Sequence, residues 1–259
     1  MKPEPVVHTD RISNIEWEIG QIETSACLSI ESGTAVDAAA RNAFAAGFDW
    51  LSKFIMEPHP DLGRRGPVCP FARPSHSEGS MVFCVWDVGN LGFDLYIDIL
   101  KAIPDLYQRL LQTKKGQARI FSVCIFLTGL DESQYSHYID EAHSQVKPDF
   151  MDAGLMLGEF HPLSTAGGAH SDSFRPMRSS VPMFVIRSIS HHDILFIDRA
   201  GSSPEKSIRE LSNYLFTIGA TLTDDEVARI ENRIDALKEQ VERQSRAEAR
   251  TEARVGLRA

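Results

Sequence analysis

Residues 80–88 read SMVFCVWDV and residues 118–129 read ARIFSVCIFLTG, and these two runs with the segment between them decide the fold. Both are short, apolar and rich in Val, Ile and Phe, the β-branched and aromatic side chains that pack best on a pleated surface. Between them, NLGFDLYIDILKAIPDLYQRLLQTK (90–114) carries apolar residues at helical spacing, with Pro104 as a point of kinking or interruption. Strand, helix and strand in this order predict a βαβ crossover, because parallel strands need a connection of a dozen or more residues.

The flanks extend this unit. Upstream, TAVDAAARNAFAAGFDWLSKFIM (34–56) predicts an alanine-rich helix capped at Thr34 and ended before Pro58. Downstream, 131–147 reads as a helix with Asp131 or Ser133 as its cap. Residues 154–162 and 180–190 read as strands, and 193–197 as a short apolar run. The tail predicts one helix over 203–216 and a longer one over 223–247. In the longer one, Val227, Ile230, Ile234, Leu237 and Val241 recur by three and four. Two heptads are too few for a coiled coil alone. The stripe therefore predicts packing on the domain or on a second copy, and a homodimer to which tail and domain both contribute. The fold class is α+β or α/β: a mixed sheet of about four strands flanked by helices, with a helical C-terminal appendage. The domain plan is an irregular arm over 1–32, a catalytic or binding domain over 33–200 and the appendage over 201–259.

The 259 residues are 42% hydrophobic and carry a net charge of −9. That balance argues against nucleic acid, whose binders present basic faces. No run approaches 18 apolar residues, so no membrane span is expected. The first residues are acidic and proline-bearing and do not resemble a signal peptide. Cys27, Cys69, Cys84 and Cys124 show no CxxC spacing, and Cys84 and Cys124 sit in apolar runs. These features predict a cytoplasmic protein without a disulfide framework.

Three stretches hold the candidate chemistry. HPDLGRRGPVCPF (59–71) combines three prolines, two glycines, Arg64, Arg65 and Cys69. Prolines stiffen it, and arginine forks suit carboxylates or phosphates, so it predicts a pocket wall rather than a bare connector. Cys69 is either a small residue in a structural turn or a soft ligand. MLGEFHP (156–162) sets Glu159 and His161 two apart at a strand end, on one face, where a histidine suits a metal, haem or general-base role. STAGGAHSDSFRPMRSSVPMF (164–184) supplies a flexible loop with His170, and with Arg175 and Arg178 three apart; Arg187 on the next strand could complete an anion clamp. His191, His192 and Asp193 rank below His161, since adjacent histidines on a strand project to opposite sides. No Walker loop, dinucleotide fingerprint, GxSxG elbow or HExxH motif is present.

HPDLGRRGPVCPF, MLGEFHP, FRPMRSSVPMFVIRSIS and the closing HDILFID together resemble a bacterial and fungal family of unknown function found largely near biosynthetic genes, over roughly residues 55–200. That family is in turn distantly similar to YqcI/YcgG-type proteins, some of which are haem-dependent enzymes of natural-product pathways. The resemblance implies a haem-binding oxidoreductase acting on a small, polar, amino-acid-like metabolite. It implies His161 as axial ligand with Cys69 as the competing candidate, and Glu159 orienting a ligand or moving protons. Arg64, Arg65, Arg175, Arg178 and Arg187 would meet propionates or a substrate carboxylate. The alternatives are a non-haem enzyme or small-molecule binder with an arginine-lined anion pocket, and a partner-recruiting protein with a helical tail.

Overall fold

A computed structural model describes residues 7–12, 15–21, 38–113, 120–168, 171, 173–198 and 202–256. The βαβ unit is its centre. Strand β3 (Met81–Asp87) leads through helix α3 (Phe93–Thr113) into strand β4 (Ser122–Thr128), and the two strands pair in parallel with Met81 opposite Ser122. Helix α3 continues through Pro104. Proline removes one amide donor but leaves the apolar stripe intact: Ile99, Leu100, Ile103, Leu106, Tyr107 and Leu110 all bury.

Strands β5 (Leu155–Phe160) and β6 (Met183–Ser188) complete the mixed sheet predicted from the sequence. Strand β6 runs antiparallel to both β4 and β5. The sequence predicts an irregular arm over 1–32, but the structure places two strands within it, β1 (Val7–Ile12) and β2 (Ile15–Gln21). They form an antiparallel pair that meets β3 through Gly20 and Gln21, giving the order β1-β2-β3-β4-β6-β5. The physical reason lies in IEWEIGQ, where Ile15, Trp17 and Ile19 alternate with Glu16 and Glu18 at the period of a strand. Thr34, the predicted helix cap, lies outside the described residues.

Each face of the sheet carries its own core. On one face, Val82, Cys84 and Trp86 of β3, Ile125 of β4, Leu155 and Leu157 of β5 pack with α3 and with helix α4 (Ala142–Asp152). On the other, Phe83, Val85, Phe126 and Met183 pack with α1 (Ala38–Trp50) and the start of α2 (Ala72–Ser77). A side chain at Gly47 would strike the ring of Phe126, so this glycine is what lets α1 lie close on β4. The sequence reads 34–56 as one helix; in the structure α1 passes into a π turn over Leu51–Ile55.

The chain divides into two compact units, Met1–Ser188 and Ile189–Ala259. The predicted plan sets the division at residue 200. Residues His191–Phe196 form a 3₁₀ turn within the second unit, where the Tyr214 hydroxyl donates to the His191 carbonyl at 2.8 Å. The rest of that unit is α5 (Pro204–Ile218) and α6 (Asp224–Gly256), which pack together. Ile230, Ile234 and Leu237, the stripe read as a packing seam, are already buried in the single chain. No described helix is long and apolar enough to cross a membrane.

Candidate functional site

Strands β3, β4 and β5 run in one direction, since β5 and β4 are each antiparallel to β6 and β4 is parallel to β3. Their carboxyl ends therefore share one edge of the sheet, the place where open α/β sheets bind ligands. Asp87, Thr128 and Phe160 end these strands, and His161 is the next residue after β5.

His161 is 3% exposed. Its Nε2 lies 3.0 Å from Oδ1 of Asp140, a carboxylate whose side chain is 50% exposed. Its Nδ1 is buried and has no hydrogen-bond partner among the described residues. The neutral ring with its proton on Nε2 satisfies this geometry, donating to Asp140 and leaving a lone pair on Nδ1. Beside this pair stands a second. Nε2 of His143 lies 3.1 Å from Oε2 of Glu159 and 3.0 Å from the Leu157 carbonyl. Two strand-end residues two apart, Glu159 and His161, thus meet two helical residues three apart, Asp140 and His143.

A π turn makes the arrangement possible. Residues Ser136–Glu141 are π-helical before α4 begins. In an α-helix, residues five apart point roughly 140° away from one another. The i→i+5 bonding of a π turn brings such residues over one another, so Tyr135 and Asp140 both reach His161, the Tyr135 ring at 5.4 Å between centroids. Burial, and then the carboxylates of Glu132 and Asp131, push the Tyr135 hydroxyl up from its ordinary value. That phenol stays protonated through the neutral range.

The other predicted residues are distributed differently. Cys69 packs against the core on the opposite face, the one built on Phe83, Phe126 and α1. Leu155 and Leu157 lie on the α3–α4 face and the strand alternation carries Glu159 to it as well, while Phe160 packs on the Cys69 face. His161, bonded to Asp140, and Cys69 therefore stand on opposite sides of the sheet. Burial pushes the thiols of Cys84 and Cys124 up, with Cys69 adding to the rise at Cys124.

The 59–71 loop folds back on its own stem. Pro58 bridges Pro67, the Val68 amide donates to the Glu57 carbonyl at 2.9 Å, and the Cys69 amide donates to the Ile55 carbonyl at 2.9 Å. Gly63 and Gly66, at φ of 76° and 95°, supply the left-handed turns. His59 stacks on Phe174 at 4.7 Å. Four of the five candidate arginines donate to nearby main-chain carbonyls. Arg64 bonds those of Arg65 and Val68, Arg175 that of Phe174, Arg178 that of Ser164 and Arg187 that of Ser188. Arg65 is exposed, and Arg187 lies 5.0 Å from the centre of the Phe71 ring. The segment bearing Arg175 and Arg178 does meet the sheet edge, since the His161 amide donates to the Met177 carbonyl and the Ser164 amide to the His161 carbonyl. His170 lies outside the described residues. His191 pairs with Glu226 within the second unit.

The structure thus brings Glu159 and His161 together, and the partners that complete them are Asp140, His143 and Tyr135. Sequence reasoning passes over these three. The available signal is Asp140 and His143 three apart, flanking the buried positions Ile139 and Ala142 in a segment read as an ordinary helix. Among the described residues, no three His, Cys, Asp or Glu side chains are gathered so as to hold a metal ion.

A family profile described as a domain of unknown function, DUF6875, matches residues 44–247, and the chain belongs to that family. No curated protein matches the chain, and no solved structure does.

Proposed function

We propose that this DUF6875 protein is an enzyme acting on a small polar metabolite by proton transfer at the carboxyl edge of its sheet. In this reading Asp140 is the catalytic residue and His161 the positioning residue behind it. The observation that carries the reading is the burial of His161 with one nitrogen unpartnered and the other fixed on a half-exposed carboxylate. A buried polar group without a partner costs about 1–3 kcal/mol, and an apolar residue of similar size would avoid that cost. What the histidine contributes is one oriented N–H on Asp140. A base held in place by a second group is the usual architecture of acid–base catalysis. Tyr135 adds a neutral phenol on the same side, and the Glu159–His143 pair stands next to it.

Incubating the full chain with a cellular metabolite extract and following it by mass spectrometry tests this reading. Consumption of a small polar metabolite that Asp140→Asn abolishes and Arg64→Gln preserves supports it. Consumption unchanged by Asp140→Asn, or none with or without added haem, overturns it.

Haem is the second reading, supported by the unpartnered Nδ1 of His161 and by a distant likeness to YqcI/YcgG-type proteins in the CPF block before a strand–helix–strand unit and in the late arginine-bearing strand. The residues in their present places do not fit it. Nδ1 is enclosed, Nε2 is held by Asp140, and Cys69 is on the other face. A Soret band on adding haem to the full chain, lost in His161→Ala and kept in Cys69→Ser, would establish haem despite that geometry. A homodimer to which tail and domain both contribute and a cytoplasmic location complete the proposal; sedimentation of a chain truncated after Thr221 tests the first.

A further inference from the structure

We infer that the sheet face opposite Asp140 holds a second site: an apolar strip over β5 and β6 that takes a carboxylate carried on an apolar chain of medium length, with the carboxylate on Arg187 and the chain running toward Phe160 and Trp50. The inference is independent of the reading in which Asp140 is the working carboxylate.

The two faces of the sheet are covered unevenly. On the α3–α4 face, Leu155, Leu157, Phe184 and Ile186 are no more than 2% exposed. Strand alternation puts Gly158, Phe160, Val185 and Arg187 on the other face, and all four are only half-buried. On that face α1 lies on β3 and β4, and α2 on β3. Over β5 and β6 the border is the end of the 59–71 loop, whose Val68 and Cys69 are half-buried against the same core. Cys69 adds to the rise that burial gives the Cys124 thiol, and Cys124 is the sheet partner of Val185, so Cys69 stands beside the middle of the strip. A Cβ at Gly158 would come within 3.0 Å of the Phe160 ring, so the missing side chain is what lets that ring lie along the floor.

The two ends of the strip differ in chemistry. At the Phe160 end the Trp50 ring stands 5.5 Å away between centroids and stacks on Phe54 at 5.8 Å, and both rings are half-buried. At the other end the Arg187 guanidinium lies 5.0 Å from the centre of the Phe71 ring and donates to the Ser188 carbonyl. Of the residues that β5 and β6 place on this face, Arg187 alone is charged. Met156, its sheet partner, is buried, so the strip ends there. Phe160 pairs with Met183, four residues from Arg187, which sets the two ends about 13 Å apart along the strand. An apolar floor of that length with one guanidinium at its end is complementary to an apolar chain ending in a carboxylate. The guanidinium fork suits that group bidentately, and charge-assisted hydrogen bonds of this kind are the strong ones. A half-open apolar floor with one placed polar group is also the usual make-up of a ligand groove. An ammonium at the same end would be repelled, and an alcohol would bury its chain without the charge-assisted bond.

The test uses the full chain, with the half-exposed Cys69 thiol as reporter. Cys84 and Cys124 are fully buried, so alkylation by N-ethylmaleimide, read at Cys69 by peptide mass spectrometry, follows the openness of the strip. The probes are octanoate, octylammonium and octanol, which share one chain and differ in charge. Octanoate should slow alkylation of Cys69 saturably and at the lowest concentration of the three. Arg187→Gln should weaken the octanoate effect about tenfold or more, the scale of a lost hydrogen bond to a charged group, and should leave octanol unchanged. Asp140→Asn, on the opposite face, should alter neither. Octylammonium protecting as well as octanoate, or octanoate protection unaffected by Arg187→Gln, overturns the inference. So does a Cys69 that fails to react without a probe, or one whose rate octanoate does not change. Protection that grows with the concentration of the chain itself, with none added by octanoate, would assign the strip to a second copy and overturn the inference as well. If Arg187→Gln does not fold, the order of the three probes on the unaltered chain still decides the charge of the occupant.

Discussion

The loop at 59–71 and the strand exit at 159–161 both present a histidine and charged groups in the sequence, yet the structure treats them in opposite ways. The loop turns most of its polar groups onto its own backbone, with Arg65 left exposed. His59 takes the Asp61 amide, Arg64 staples two carbonyls of its own turn, and Val68 and Cys69 tie the far end to Glu57 and Ile55. The strand exit turns them toward another element, the π turn and helix at 135–143. Among the described residues it leaves one nitrogen of His161 and one oxygen of Asp140 without a partner. In the proposed reading this difference separates a stiff structural clip from a site, because satisfied groups hold the chain while the solvent-facing oxygen of Asp140 is open to a ligand. Density of unusual residues did not distinguish the two; the account of where each hydrogen bond goes did.

The largest effect that would break this contrast is at Asp140. Asp140→Asn should reduce turnover of the extract metabolite by about 10²-fold or more, the scale of general acid–base catalysis. Melting temperature should barely move, because the side chain is half-exposed. If Arg64→Gln produced that loss instead, the loop would be the site and the strand exit the scaffold.

A smaller effect belongs to His161. Leucine there removes the oriented N–H but also removes the unsatisfied nitrogen, so stability should stay within about 1 kcal/mol of the wild type. Turnover should fall about tenfold as Asp140 loses its holder. His161→Gln offers an N–H of similar reach and should recover part of the turnover that His161→Leu loses. Equal loss in both, with a drop in melting temperature, would make His161 a packing residue. On the loop side, Arg64→Gln should lower stability by about 1 kcal/mol, the net worth of its carbonyl bonds, with turnover unchanged.

How much of this was legible follows from which interactions are local. The βαβ unit, α3 and the strands at 155–160 and 183–188 were readable because burial imposes the periods of helix and strand on the sequence. The β1–β2 pair was also written there, in the alternation of IEWEIGQ, but short polar-faced strands read as loop unless the alternation is counted. Glu159 and His161 were found as a same-face pair because strand geometry fixes that from spacing alone. Their partners were not, since Asp140 and His143 lie about twenty positions earlier and meet the strand end only through tertiary packing. The π turn added a further obstacle, because helical spacing at 3.6 residues per turn puts Tyr135 and Asp140 on different faces. The separation of Cys69 from His161 was likewise invisible until the sheet gave each a face.

A third region sharpens the comparison, because it repeats the same pair of groups with a different purpose. In the second unit His191 lies 2.8 Å from Glu226, as close as His161 lies to Asp140. Here the carboxylate is fully occupied: Glu226 accepts from the Thr223 amide and the Thr223 hydroxyl, and the Glu226 amide lies 3.3 Å from that hydroxyl in return. This is a capping box at the start of α6, where a carboxylate also favours the positive end of the helix dipole. The bonds from the Thr223 amide and hydroxyl, and then His191, lower the Glu226 carboxyl from its ordinary 4.5 to about 2. A carboxyl depressed on folding contributes stability above its unfolded value and loses it as pH falls through the folded one. The contribution should therefore be complete above about pH 5 and should fade between about 4.5 and 2. Glu226→Gln should remove that part of the acid dependence, seen as a flatter melting-temperature profile over the same range, and should leave turnover at Asp140 unchanged. A turnover loss in Glu226→Gln would mean that a satisfied His–carboxylate pair can also carry function, and the criterion separating loop from site would fail with it.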